Sequence, residues 1–208
     1  MPRLSRKEKQ AHTRSCLMES AAKVFARRGL QQASIDEVAG DAGFTKGAFY
    51  ANFKSKEELF LAMLDERFAQ RIDAIDRVWN SGGDLRDKTR QAGQDFADYL
   101  DDDEWARLFF EFAAYAARNE DFRQELVTRY RALRERVAEL YTRSKEQMGI
   151  EPAIPADQVA AMIFAMGNGL ALEKLLEPDV VADDAFGTML MAFFAGLAAT
   201  REEQPVKQ

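Results

Sequence analysis

Lys46, Gly47 and Tyr50 fall within five residues of one another in the stretch GFTKGAFYANFKSKEEL, Gly43 to Leu59, with Lys54 and Lys56 close behind. A lysine ammonium can meet a phosphate or the edge of a guanine, and a tyrosine hydroxyl can donate to a phosphate oxygen. Glycine leaves the backbone bare, so another strand can come close. Residues of these types at this spacing point to recognition of a polyanion. The plainer alternative is a solvated lysine face beside a half-buried tyrosine.

Charge is distributed to match the first reading. The chain of 208 residues has a formal net charge of -6. Residues 1–56 hold eleven bases and five acids, a net of +6, which leaves -12 for the remainder. A basic front and an acidic body are expected of a protein that meets a polyanion at one end only. Other chemistry finds little material. Cys16 and His12 are the only cysteine and the only histidine, so neither an internal disulfide nor a cysteine metal cluster can form, and no metal or cofactor is expected. No nucleophile, base and orienting group cluster in the sequence, which argues against an enzyme. No apolar run is expected to reach membrane-spanning length, and MPRLSRKEKQ has no signal-peptide core, so a cytoplasmic protein is expected.

The elements that must position the lysines are helices. Apolar residues recur three and four apart over long stretches, and no run combines β-branched residues with alternation. A first helix is expected from about Lys9 to Arg28, stopped by Gly29. Ser34 and Glu37 form a capping box for a short helix that ends at Gly43. Thr45 caps a second short helix, on which Phe49 and Phe53 face inward while Lys46 and Tyr50 share another face. Ser55 and Glu58 form a further capping box for a long helix from Lys56 to Trp79. Two short helices joined by a glycine turn are the pattern of a helix-turn-helix. Breaks at residues 80–84 and 149–155 bound further helices over 85–101, 104–118 and 121–148, and two more are expected at 156–176 and 184–200.

The run AAKVFARRGLQQASIDEVAGDAGFTKGAFYANFKSKEEL resembles the DNA-binding domain of the TetR family of bacterial transcriptional regulators. The resemblance spans Arg14 to Leu59 and rests on A-A-x-V-F-x-x-x-G, S-I-D-E-V-A and F-Y-x-x-F-K-S-K-E-E-L; Ala51 departs from the large aromatic often found at its place. It implies that Ser34 touches a phosphate, that Thr45, Lys46, Gly47 and Ala48 approach base edges, and that Tyr50, Asn52 and Lys56 grip the DNA backbone. Lys54 extends the basic edge, and Arg3, Arg6 and Lys7 could form an arm along the duplex.

The expected architecture is therefore all-α. An N-terminal three-helix DNA-binding domain over residues 9–56 is joined, by the helix 56–79, to a larger helical domain over 57–201. The family resemblance implies that this second domain dimerises and encloses a ligand pocket. The sequence adds that residues 159–172 are apolar or small on every side apart from Asn168, so that helix must be covered all round. Candidate contacts for a small, mostly apolar ligand are Phe68, Trp105, Phe109, Phe112, Phe164 and Asn168, although an aromatic stripe is also what a plain core requires and Asn168 could instead hydrogen-bond across the dimer. Glu111 is read as solvated and ion-paired. The function implied is a repressor released from a palindromic operator by its ligand. A family activator and a helical protein-interaction module are the alternatives.

Overall fold

The computed structural model describes residues 5–100, 102–148 and 154–199, so Arg3, most of the break at 149–155 and the tail after 199 lie outside the described residues. Nine α-helices and one 3-10 turn make up the described residues, with no strand among them. They are α1 (Arg6–Gln32), α2 (Ile35–Asp41), α3 (Lys46–Tyr50), α4 (Lys56–Asn80), α5 (Leu85–Leu100), α6 (Asp103–Ala116), α7 (Glu120–Met148), α8 (Ala156–Leu176) and α9 (Ala185–Ala199).

The backbone divides into two compact units, neither contiguous in sequence. The first runs through Phe68 and takes in residues 104–127; the second holds residues 69–103 and everything from Thr128 onward. This division differs from a boundary at residue 56, because the first half of α4 and nearly all of α6 pack with the front of the chain.

In the first unit an aromatic cluster supplies the core. Phe60 and Phe112 are fully buried and stacked, and Phe25, Trp105 and Phe122 surround them. α1 begins at a capping box of Ser5 and Glu8, three residues earlier than the apolar pattern indicates. It breaks where expected, at Gly29, whose φ of 73° suits a residue without a Cβ. A short helical turn then continues to Gln32.

Residues 30–33 are tied down by two side chains from elsewhere in this unit. The Leu30 N–H, freed by the break, donates to Glu111 Oε1 at 2.6 Å. Lys56 Nζ donates to the carbonyls of Leu30 and Ala33, both at 2.7 Å. The reading of Glu111 as a solvated, ion-paired residue is thus corrected. It is half-buried and accepts from a backbone amide, because the Gly29 break exposes a donor directly beside it.

In the second unit α5 packs along α9, and α8 packs on both. The α5–α9 crossing passes through Gly93 and Gly187: a Cβ on Gly93 would lie 2.6 Å from the Gly187 Cα. Phe96 and Phe186 stack beside Gly167 of α8. Gly167 therefore serves close helix approach, whereas Gly169 faces open space. Arg136 of α7 pairs with Asp76 of α4 at 2.7 Å.

The expectation that no run is of membrane-spanning length is overturned. α8, with 21 residues, is long and apolar enough to cross a membrane by length and composition. It is apolar nearly all round, and within one chain it stays partly uncovered: Met162, Leu172 and Leu176 are exposed, as are Ala161, Ala165 and Gly169. α9 repeats this with exposed Met191, Ala192, Ala195 and Gly196.

Candidate nucleic-acid interface

The sequence builds α2, its turn and α3 locally. Ser34 caps α2 reciprocally with Glu37: the Glu37 N–H donates to Ser34 Oγ at 3.1 Å, and the Ser34 N–H donates to Glu37 Oε2 at 3.0 Å. The Ser34 N–H, helped by the Ser34 hydroxyl, holds the Glu37 carboxyl below the usual carboxylate range. α2 ends in a Schellman turn. Gly43 N–H reaches Gly40 O at 3.1 Å and Phe44 N–H reaches Ala39 O at 2.8 Å, with Gly43 at φ 75°. Thr45 Oγ1 then accepts from the Ala48 N–H at 3.3 Å and opens α3.

Tertiary contacts hold this pair of helices in place. Phe49 and Phe53 are buried beneath α3, as their spacing requires. Arg14 of α1 donates to the Asn52 carbonyl at 3.1 Å, and its guanidinium lies 4.2 Å from the Phe53 ring centroid. The buried Ser20 hydroxyl lies 2.8 Å from Val38 O and 3.0 Å from Asp41 Oδ2, which joins α1 to the end of α2.

The outer face of α3 stays open, apart from the Tyr50 ring, which meets the buried Phe49 ring edge-on. Tyr50 is 52% exposed, and Thr45, Lys46 and Gly47 are exposed beside it. A Cβ on Gly47 would meet only Thr45 Oγ1, at 3.7 Å, so the fold does not require glycine there. Lys46 Nζ sits 2.7 Å from Asp36 Oδ2 of α2, and that hydrogen bond raises the ammonium above the usual lysine range. Ala48 is half-buried, and Ser34 and Lys54 are exposed.

Two residues of the expected phosphate grip have other work. Asn52 Nδ2 donates to Ala48 O at 2.8 Å and closes the last turn of α3. The Lys56 ammonium is committed to the carbonyls that follow the Gly29 break. The box opening α4 is also altered: Ser55 Oγ caps the Glu58 N–H, but the Glu58 carboxylate accepts from Lys54 N–H instead of Ser55 N–H.

A helix-turn-helix with an exposed recognition surface that carries a lysine is now in place, and the comparisons agree with it. The family description "Bacterial regulatory proteins, tetR family" matches residues 17–63, and "BetI-type transcriptional repressor, C-terminal" matches residues 85–199, more than half of the chain. The chain belongs to the TetR family. It is a DNA-binding transcriptional regulator. It is 28% identical over 183 residues to the HTH-type transcriptional regulator YfiR of Bacillus subtilis, covering 85% of this chain and 87% of that one. The HTH-type transcriptional activator FasR of Mycolicibacterium smegmatis is 34% identical over 110 residues, about half of each chain. Among solved structures, the transcriptional regulator FadR from Bacillus subtilis in complex with stearoyl-CoA matches with a TM-score of 0.74 at 17% identity. That match covers 86% of this chain and 95% of FadR, and it is a likeness of fold.

The expected ligand residues of this TetR family member are divided between the two units. In the first, Phe112 is fully buried among Phe25, Phe60 and Phe122, so its ring is core. Trp105 stacks on Phe60, Phe68 is buried, and Phe109 is half-buried. In the second, Phe164 meets the Tyr130 ring edge-on, and Asn168 Nδ2 donates to Tyr130 Oη at 2.6 Å. The partner of Asn168 is thus a phenol of its own chain. None of these six residues lines the open polar cleft formed by Asp73, Asp76, Arg77, Asn80 and Ser81.

Sequence reasoning passed over Asp36 and Arg14 and misread Glu111. Each acts across 10 to 81 positions of sequence, and helical periodicity carries no signal at that range.

Proposed function

We propose that this regulator is a homodimeric repressor, active in the cytoplasm and without catalytic activity, that releases a two-fold symmetric operator when a small, mostly apolar ligand binds. The observation that carries the DNA half of this reading is the outer face of α3: a cation, a bare backbone and a phenol that all stay exposed, the Tyr50 ring touching the core only at Phe49. Thr45, Lys46, Gly47 and Ala48 would meet base edges, and Ser34, Tyr50 and Lys54 would meet phosphates. Two such helices in a dimer would enter successive major grooves about 34–36 Å apart.

The uncovered apolar faces of α8 and α9 support a dimer. Ala161, Ala165 and Gly169 are small enough for close packing of a second copy, and Asp157, Glu173 and Lys174 near the ends of α8 suit an interface rimmed by water better than a bilayer. Repression follows the BetI-type match; the activator FasR keeps activation as the second reading.

For the ligand, Phe164 and Asn168 of the second unit, both beside Tyr130, are the candidates that the core leaves partly accessible. FadR is solved with stearoyl-CoA, whose apolar part is its acyl chain, so the free C18 fatty acid is a suitable first probe. A hundredfold loss of operator affinity requires a coupling of about 2.7 kcal/mol, and the operator must weaken probe binding by the same factor. The test measures operator affinity with and without the probe. A probe that binds and leaves operator affinity unchanged ends the proposal that this class of ligand is the effector.

A further inference from the structure

The three acids of α2 do different work. Asp41 accepts from Ser20 and pairs with Arg27, and Glu37 pairs with Arg28 at 3.3 Å, so both tie α2 back to α1. Asp36 instead reaches forward to Lys46, the first residue of α3, at 2.7 Å. Both side chains of that pair are largely exposed, 64% for Asp36 and 52% for Lys46. Ion pairs this exposed add little to folding stability. What the pair changes is the state of Lys46, the cation on the recognition surface.

We propose that Asp36 is a specificity-determining residue that acts by occupying Lys46, so that the lysine does not spend its charge on arbitrary phosphates. The inference rests on the DNA reading of α3. On duplex of any sequence, Lys46 could reach a phosphate only by leaving Asp36. The move would exchange one anionic partner for another and leave a bare carboxylate facing the phosphates. The pair therefore enters a non-specific complex intact, and Lys46 releases no counterion there. At the operator, a guanine edge presents two acceptors to the ammonium and the amino group of its paired cytosine can donate to the freed carboxylate, so the pair opens there without leaving Asp36 bare. Asp36 thus weakens binding everywhere, and least at the operator.

The experiment uses the full-length protein, a short duplex selected from a random pool by the unmodified protein, and a scrambled duplex of the same composition. Affinities of the unmodified protein, Asp36→Asn, Lys46→Gln and the double variant are measured across a salt series. With Asp36→Asn, affinity for the scrambled duplex should rise about two- to fivefold. Its log–log salt slope should steepen by about 0.9, the contribution of one further phosphate contact. Affinity for the selected duplex should rise less, so the ratio between the two narrows. The effect should vanish when Lys46→Gln is already present.

Equal gains on both duplexes, no gain on either, or a gain that survives Lys46→Gln would overturn the inference. If the unmodified protein selects no sequence from the pool, the DNA reading itself fails, and that result is distinct from the others.

Discussion

The carboxylate of Glu111 lies 2.6 Å from the backbone nitrogen of Leu30, eighty-one residues earlier in the chain. The carbonyl of the same Leu30 accepts from the Lys56 ammonium at 2.7 Å. Both polar groups of one residue, just past the break at Gly29, are held by side chains from α6 and α4. Removing the acceptor leaves a sheltered amide without its bond, which costs about 1–3 kcal/mol. Glu111→Ala should therefore lower unfolding stability by about that amount, and Glu111→Gln, which keeps one oxygen, by less. Gly29→Ala should also destabilise, since φ is 73° and the added Cβ would lie 2.8 Å from Glu111 Oε1. Urea melts of the three variants check this; Glu111→Ala unfolding with the unmodified protein would show that the bond contributes nothing.

Lys46 and Lys56 should respond differently to removal. Lys46→Ala should weaken operator binding roughly five- to hundredfold, the range for one lost base contact, with little change in the thermal midpoint. Lys56→Ala strips two hydrogen bonds from carbonyls at the end of α1, so it should lower the thermal midpoint. It should leave the salt slope of DNA binding close to that of the unmodified protein, because its ammonium is already engaged. A slope flattened by about 0.9 would instead place Lys56 on a phosphate.

Charge placed on the uncovered face of α8 separates assembly from folding. Ala165 and Leu172 are exposed within one chain, so Ala165→Asp and Leu172→Asp should fold. In a dimer sealed by that face they would bury an unpaired carboxylate, which is strongly unfavourable. Sedimentation should report a dimer for the unmodified protein at micromolar concentration and monomers for both variants, with helix content preserved. A monomeric unmodified protein would end the proposal of a dimer.

The glycine crossing of α5 and α9 should be asymmetric. A Cβ on Gly93 meets Gly187 backbone at 2.6 Å, which demands movement of a helix. A Cβ on Gly187 meets Gly93 Cα at 3.4 Å, close to ordinary contact. Gly93→Ala should thus destabilise by about 1–3 kcal/mol, as overpacking does, and Gly187→Ala by clearly less. Equal losses in chemical denaturation would mean that the two helices slide apart readily.

Acidic residues near helix starts, glycines after helix ends and apolar residues three and four apart were legible in the sequence. They placed α2, α3, the turn at Gly43 and the bounds of α8, because caps, turns and helical faces depend on neighbours within about four positions. The inward set of Phe49 and Phe53 and the outward set of Lys46 and Tyr50 follow from the same short-range geometry. The tertiary structure alone decided what those side chains meet. Lys46 rests on Asp36, Lys56 closes the end of α1 instead of standing ready for a phosphate, Phe112 fills the core, and Asn168 answers to Tyr130. Each of these partnerships joins residues ten or more positions apart, and which of several donors or acceptors a side chain finds at that range is set by how the helices pack, which the local sequence does not encode.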